Sequence, residues 1–168
     1  MATATDVDFI EMRIGKVVAL KSDDQLFQCI VLDEVIGDRH LLIEIGYAEA
    51  FSLAASLQGV QWGRPMTYQF VAALLGGLGG RVRQVRIDRL VAGAYAATVE
   101  VEGPLGVEFI DARSSDALNL AALVDPPIFV APEVLEDCQT RCEGDSAEAT
   151  LLRRALTVRP MTIKREEA

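Results

Sequence analysis

Asp111, Arg113 and Asp116 put two carboxylates and a guanidinium within six consecutive positions of the chain. Those residue types suit chemistry at a phosphoryl centre. Carboxylates can hold Mg²⁺ or Mn²⁺ or accept a proton from water, and an arginine can neutralise non-bridging oxygens. The surrounding stretch, Glu108 to Ala122, aligns without a gap to Leu41 to Ala55. Ile43 falls on Ile110, Glu44 on Asp111, Glu49 on Asp116 and Leu53 on Leu120. Each copy reads as an apolar strand, a polar elbow and an amphipathic helix. One carboxylate then sits at the strand end and another in the first helical turn, where unpaired N–H groups favour anions. The pattern nominates Asp111, Arg113 and Asp116 as catalytic residues, and Asp111, Asp116 and Glu49 as ligands for Mg²⁺ or Mn²⁺. The same residues also admit a scaffolding reading, in which Ser114 or Ser115 caps the helix, Asp116 complements its dipole and Arg113 pairs with Asp111.

Other chemical candidates are thinner. His40 is the only histidine, and one imidazole builds no His-based metal site. Cys138 and Cys142 share a helix face but lack two further zinc ligands, so together with Cys29 they read as reduced thiols. Arg81, Arg83, Arg86 and Arg89 form a local basic stretch that Arg64 could extend. Arg64, Arg86 and Ser115 are therefore the residues expected to touch a substrate, with salt bridges to nearby carboxylates as the competing use of the arginines. Gly76-Gly-Leu-Gly-Gly80 lacks the Lys-Ser/Thr of a phosphate-binding loop. Tyr95 and Phe109 are expected in the core.

Taken together, the Asp111-Ala-Arg113-Ser-Ser115-Asp116-Ala-Leu118 segment and Pro127-Ile-Phe-Val130 to Glu133-Val-Leu135 resemble the bifunctional nuclease (BFN) domain family. Its pattern is D-A-R-P-S-D-A followed by P-I-x-V and E-x-V-L. Ile45-Gly46 with Glu49-Ala50, and Arg64-Pro-Met-Thr67, resemble two further segments of that family, and the likeness runs over roughly residues 10 to 138. The resemblance implies a metal-assisted nuclease acting on RNA and DNA with low sequence preference. The chain departs from the pattern at Glu44, where tryptophan is usual, at Tyr47, at Ser114, where proline is usual, and at Tyr68-Gln69, where His-Asp is usual. The last departure, with the acidity of the chain, supports an alternative: a catalytically inactive BFN-fold oligomer that binds a small anionic ligand or a protein partner.

The elements that must position these residues are legible from periodicity. Strands are expected at Met12–Leu20, Phe27–Val35, Leu41–Ile45, Val82–Leu90, Tyr95–Glu102, Val107–Ala112 and Ile128–Val130. Met12, Ile14, Val18 and Leu20 give the first its alternation. Helices are expected near 48–58, after a Thr67 N-cap, near 115–124, as a single turn from Pro132, and over 146–156. The fold class is α+β: a mixed or antiparallel sheet with packed helices, built from two pseudo-repeats of strand-strand-strand-helix at about 12–58 and 82–124. A BFN-like domain of 9–138 precedes an appended helix and tail over 146–168, read as a candidate oligomer contact, and the polar lead before Val7 is expected to fray.

With 168 residues, 51% of them hydrophobic, one core suffices for both halves. A net charge of −9 repels polyanions, so nucleic acid must be met by a local patch or through a metal ion. No apolar run approaches the roughly 18 residues of a membrane span, and the chain reads as cytoplasmic. Alanine-rich helix faces leave surface to cover, which favours a homo-oligomer, a dimer first.

Overall fold

A computed structural model of the chain describes residues 8–22 and 24–163; the polar lead and the charged end of the tail lie outside the described residues. Three strands, β1 (Ile10–Ser22), β2 (Gln25–Glu34) and β3 (His40–Ile45), lead into helix α1 (Tyr47–Leu57). Helix α2 (Thr67–Gly77) follows. Then β4 (Arg81–Val91), β5 (Ala94–Gly103) and β6 (Gly106–Arg113) lead into α3 (Ser114–Val124), so strand-strand-strand-helix occurs twice along the chain. Strand β7 (Ile128–Val130), α4 (Pro132–Arg141) and α5 (Ala147–Thr157) complete the order. The seven strands form one mixed sheet in the order β3-β2-β1-β7-β4-β5-β6. The short β7 is its keystone, antiparallel to β1 and parallel to β4.

One cross-sheet row, Met12 on Ile128 on Val85 on Val99, belongs to the main core, which Leu53 of α1, Leu118 of α3 and Leu135 of α4 complete. Small residues let the helices sit close. Ala50, Ala54, Ala117 and Ala121 are all buried, and α1 packs directly against α3. Helix α3 ends where Asp125 turns left-handed at φ 52° ahead of Pro126-Pro127, which cannot continue it.

The structure corrects the sequence reading in several places. The alternation of β1 does not hold to one face, because a bulge between Ile14 and Lys16 shifts the register. Met12, Ile14 and Val17 face the main core, while Val18 and Leu20 join Cys29, Val31 and Ala155 in a second cluster. Gly15 sits at that bulge, where a Cβ would stand 2.2 Å from a carboxylate oxygen of Asp33. The turn after Pro132 is a full helix of 10 residues. Thr67 lies inside α2 rather than capping it, and Gln69 Oε1 accepts the Met66 N–H at 2.9 Å. Neither Ser114 nor Ser115 caps α3, whose N-cap position is Arg113. Phe109 is exposed, because β6 is an edge strand. The C-terminal helix packs on this chain's own β1 and β2. Lys16 Nζ donates to the carbonyls of Leu156 and Val158 at the end of α5, and Met161 N–H returns to Val17 O. All three cysteines are free thiols. Among the described residues no helix is long and apolar enough to cross a membrane.

Candidate functional site

The two strand-to-helix elbows meet. Because α1 and α3 lie side by side, Glu49 in the first turn of α1 and Asp116 in the first turn of α3 face a common point, which Arg113 fills. Its Nε and Nη2 donate to the two oxygens of Asp116 at 2.7 and 2.9 Å, a bidentate fork, and Nη2 also donates to Glu49 Oε1 at 3.0 Å. Charge-assisted bidentate bonds of this kind fix geometry as well as add energy. Nη1 makes no bond within the chain among the described residues, and the Arg113 side chain is 67% exposed, so one arm of the guanidinium remains open to solvent.

Two residues outside the nominated set complete the arrangement. Tyr68, from the first turn of α2, donates its hydroxyl proton to Asp116 Oδ1 at 2.6 Å. Burial, then that bond to a carboxylate, hold the phenol well above its usual range. For Asp116 burial acts upward, but the hydrogen bonds from Arg113 and Tyr68 outweigh it and keep the carboxyl below its ordinary value. The bond to Asp116, with help from Glu49, strengthens the hold of Arg113 on its proton. Asn119, fully buried one turn into α3, donates Nδ2 to Glu49 O and to Ser115 O at 3.1 and 2.9 Å, tying α1 to α3. Its Oδ1 has no partner among the described residues. The lack of a side chain at Gly46 lets Glu49 fold back, since a Cβ there would stand 2.4 Å from Glu49 Oε2.

The other nominated residues scatter. Asp111 lies on exposed β6 opposite Thr98 and makes no ion pair or side-chain hydrogen bond among the described residues. Arg64 is exposed and makes no ion pair or hydrogen bond among the described residues. Arg86 lies on the sheet face turned away from the main core, its guanidinium over the rings of Phe9 and Phe109 at 5.4 and 5.7 Å. Arg81, Arg83 and Arg86 answer Glu102, Glu100 and Asp88. Ser115 is buried, and with Ser114, Gly46 and Glu44 it lines a cavity of about 450 Å³ beneath both elbows, walled on its far side by Tyr95, Arg141 and Cys142. Burial pushes the Tyr95 phenol up to about 12 and the Cys142 thiol up to about 11.

Mg²⁺ or Mn²⁺ would call on Glu49, Asp116 and Asp111. In this arrangement they do not fit such an ion. Both oxygens of Asp116 and one of Glu49 already answer Arg113 or Tyr68, the guanidinium already supplies the positive charge between them, and Asp111 shares no ion pair or hydrogen bond with either among the described residues. Among the described residues no group of three His, Cys, Asp or Glu side chains could hold a metal.

Tyr68 was hard to find from sequence because it lies 48 positions from Asp116; its one signal was its place where the family pattern carries histidine. Comparison with known proteins agrees with the motifs. The family model for the bifunctional nuclease domain matches residues 30–143. Two proteins of Mycobacterium tuberculosis, uncharacterized protein MT1877 and uncharacterized protein Rv1829, are each 37% identical over 119 residues, covering 71% of this chain and 71% of the relative. With both elbows, the connecting helix and α4 inside the matched span, the chain belongs to the bifunctional nuclease domain family.

Proposed function

We propose that the chain hydrolyses RNA and DNA phosphodiesters with little sequence preference at the point where its elbows meet. The observation that carries this reading is the convergence of Glu49 and Asp116, from separate halves of the chain, on one solvent-facing arginine. A phosphodiester docks with its non-bridging oxygens on the open Nη1 of Arg113. Glu49, whose Oε2 accepts no bond among the described residues, takes a proton from an attacking water. The water oxygen bonds to phosphorus, the bond to one ribose or deoxyribose oxygen breaks, and the alcohol so formed takes its proton from solvent. Asp116 and Tyr68 position the arginine, whose charge answers the negative charge that grows on the phosphoryl oxygens. Contacts made to phosphate carry no sequence information.

A second reading, a catalytically inactive BFN-fold oligomer that holds a small anion or a protein partner, draws on the saturation of Asp116: a carboxylate with both oxygens bonded is already satisfied as scaffold. Cleavage of labelled single-stranded RNA and of single- and double-stranded DNA separates the two. The assay compares the wild type with Glu49→Gln, Arg113→Ala and Tyr68→Phe, with EDTA and with added Mg²⁺ or Mn²⁺. The hydrolytic reading expects cleavage that Glu49→Gln and Arg113→Ala lower by about 100-fold and that Tyr68→Phe lowers less. Activity equal in all folded variants sinks it. Loss in EDTA with recovery in Mn²⁺ would return a metal to the mechanism and require Arg113 to swing away.

A further inference from the structure

The cavity of about 450 Å³ beneath the elbows takes no part in the cleavage step. The ends of β3 and β6, the β4–β5 turn, the last turn of α4 and the first of α5 all contribute to its wall. Part of that wall consists of donors that the chain leaves unused. Ser114 and Ser115 are 5% and 7% exposed, and neither hydroxyl has a hydrogen-bond partner among the described residues. Arg141 Nη2 donates to the Tyr95 phenol oxygen at 2.6 Å, which leaves the phenol proton unspent. Burial pushes that phenol up to about 12, so the proton stays in place at neutral pH. Arg141 Nε is buried and makes no hydrogen bond among the described residues, although Asp137, which does not line the cavity, meets its charge at 3.0 Å. Acceptors stand open as well. Glu44 and Glu148 line the cavity and make no ion pair or side-chain hydrogen bond among the described residues. Buried polar groups without partners cost stability, and a ligand that bonds them recovers it.

We infer that this cavity receives a base of the nucleic acid whose phosphate docks on Arg113, an inference that rests on the hydrolytic reading. Three features select a nucleobase. The charged groups of the wall balance, Arg113 and Arg141 against Glu44 and Glu148, so a neutral occupant suits it better than a second phosphate. A base presents donors and acceptors on its edge and apolar faces above and below, and enzymes that take a single base read both. Here the open donors and carboxylates stand beside Phe27, Leu42, Leu90 and Leu151, with Tyr95 as an aromatic wall. Third, Arg113 belongs both to the cleavage point and to the cavity wall. A nucleotide carries base and phosphate on one sugar, so a phosphate held on this arginine brings its base to the cavity. The volume lies within the roughly 300–1,000 Å³ of small-molecule pockets. Stacking and apolar contact accept every base, so low sequence preference is retained, and Ser115 acts as a donor to the base.

Titration of the ¹⁵N-labelled full chain with adenosine, adenosine 5′-monophosphate, ribose 5-phosphate and inorganic phosphate, followed by NMR, tests this without any cleavage. Adenosine should shift the amide signals of Ala94, Ser114 and Ser115, and adenosine 5′-monophosphate should bind at least about tenfold tighter than ribose 5-phosphate. Ala94→Trp and Ala147→Trp place an indole on the cavity wall from exposed positions outside the cleavage point, so both should keep the wild-type circular dichroism. They should erase the advantage of the nucleotide over the sugar phosphate and, on RNA, raise KM more than they lower kcat. Equal affinity of the wild type for adenosine 5′-monophosphate and ribose 5-phosphate overturns the proposal, as does an advantage that survives in both variants. A protein that cleaves RNA yet ignores adenosine refutes the cavity alone. One that binds adenosine at these amides and cleaves nothing refutes the hydrolytic reading while supporting the base site.

Discussion

At the scale of single residues the site can be perturbed without touching the core. Gly46 adopts φ −70° and ψ 159°, which any residue tolerates, and the atom an added Cβ would meet is the end of the flexible Glu49 side chain. Gly46→Ala should therefore push the Glu49 carboxylate off Arg113 while shifting the unfolding midpoint in urea very little. On the hydrolytic reading it lowers kcat more than 10-fold; an unchanged kcat removes Glu49 from the mechanism. Asp116 offers a second handle. Its folded carboxyl is held below the ordinary range by Arg113 and Tyr68, so its contribution to stability is fully present above the unfolded value, about 3.9. That contribution is lost as pH falls through the folded one. Urea unfolding from neutral pH down to about pH 3 should show an acid limb, and Arg113→Ala should flatten it. An identical limb in the variant would mean that other carboxylates, such as Glu34 under Arg39, set acid stability.

At the scale of elements, one buried amide joins the two halves of the site. Asn119 bonds the Glu49 carbonyl across the α1–α3 contact, so Asn119→Ala should cost about 1–3 kcal/mol of stability. Because Glu49 and Asp116 then lose their common frame, activity should fall further than the stability loss alone explains at temperatures where the variant stays folded. Equal losses would make Asn119 purely structural. Most elements were legible in advance: period-2 strands, alanine-faced helices and the Pro-Pro stop after α3 are local signals. What stayed hidden was long-range. A bulge at Gly15 re-aims half of β1, and the contact that keeps residue 15 free of a side chain lies in β2, at Asp33. Phe109 reads as core until β6 is known to be an edge. Asp111 falls on the strand-end position the motif nominates, but the chain turns into α3 two residues later, and it is Arg113, at the turn itself, that meets the other elbow.

At the scale of the whole molecule, charge opposes the proposed substrate. The chain carries −9, the site's two carboxylates exceed its one guanidinium, and the arginines of β4 that might have formed a phosphate track are mostly answered by carboxylates of β4 and β5. A nuclease with a basic groove binds more weakly as salt rises, because counterions are released on association. Here the long-range term is repulsive. Screening should help first, as the Debye length shrinks from about 30 Å at 0.01 M to about 10 Å at 0.1 M. Measured on single-stranded RNA, kcat/KM should therefore climb several-fold across that range and fall only at higher salt, where the short contact between Arg113 and phosphate is weakened in turn. A monotonic fall from the lowest salt would show that the substrate meets a locally positive surface. Arg64 and Arg89, which have no ion pair among the described residues, would then be the first to replace with alanine.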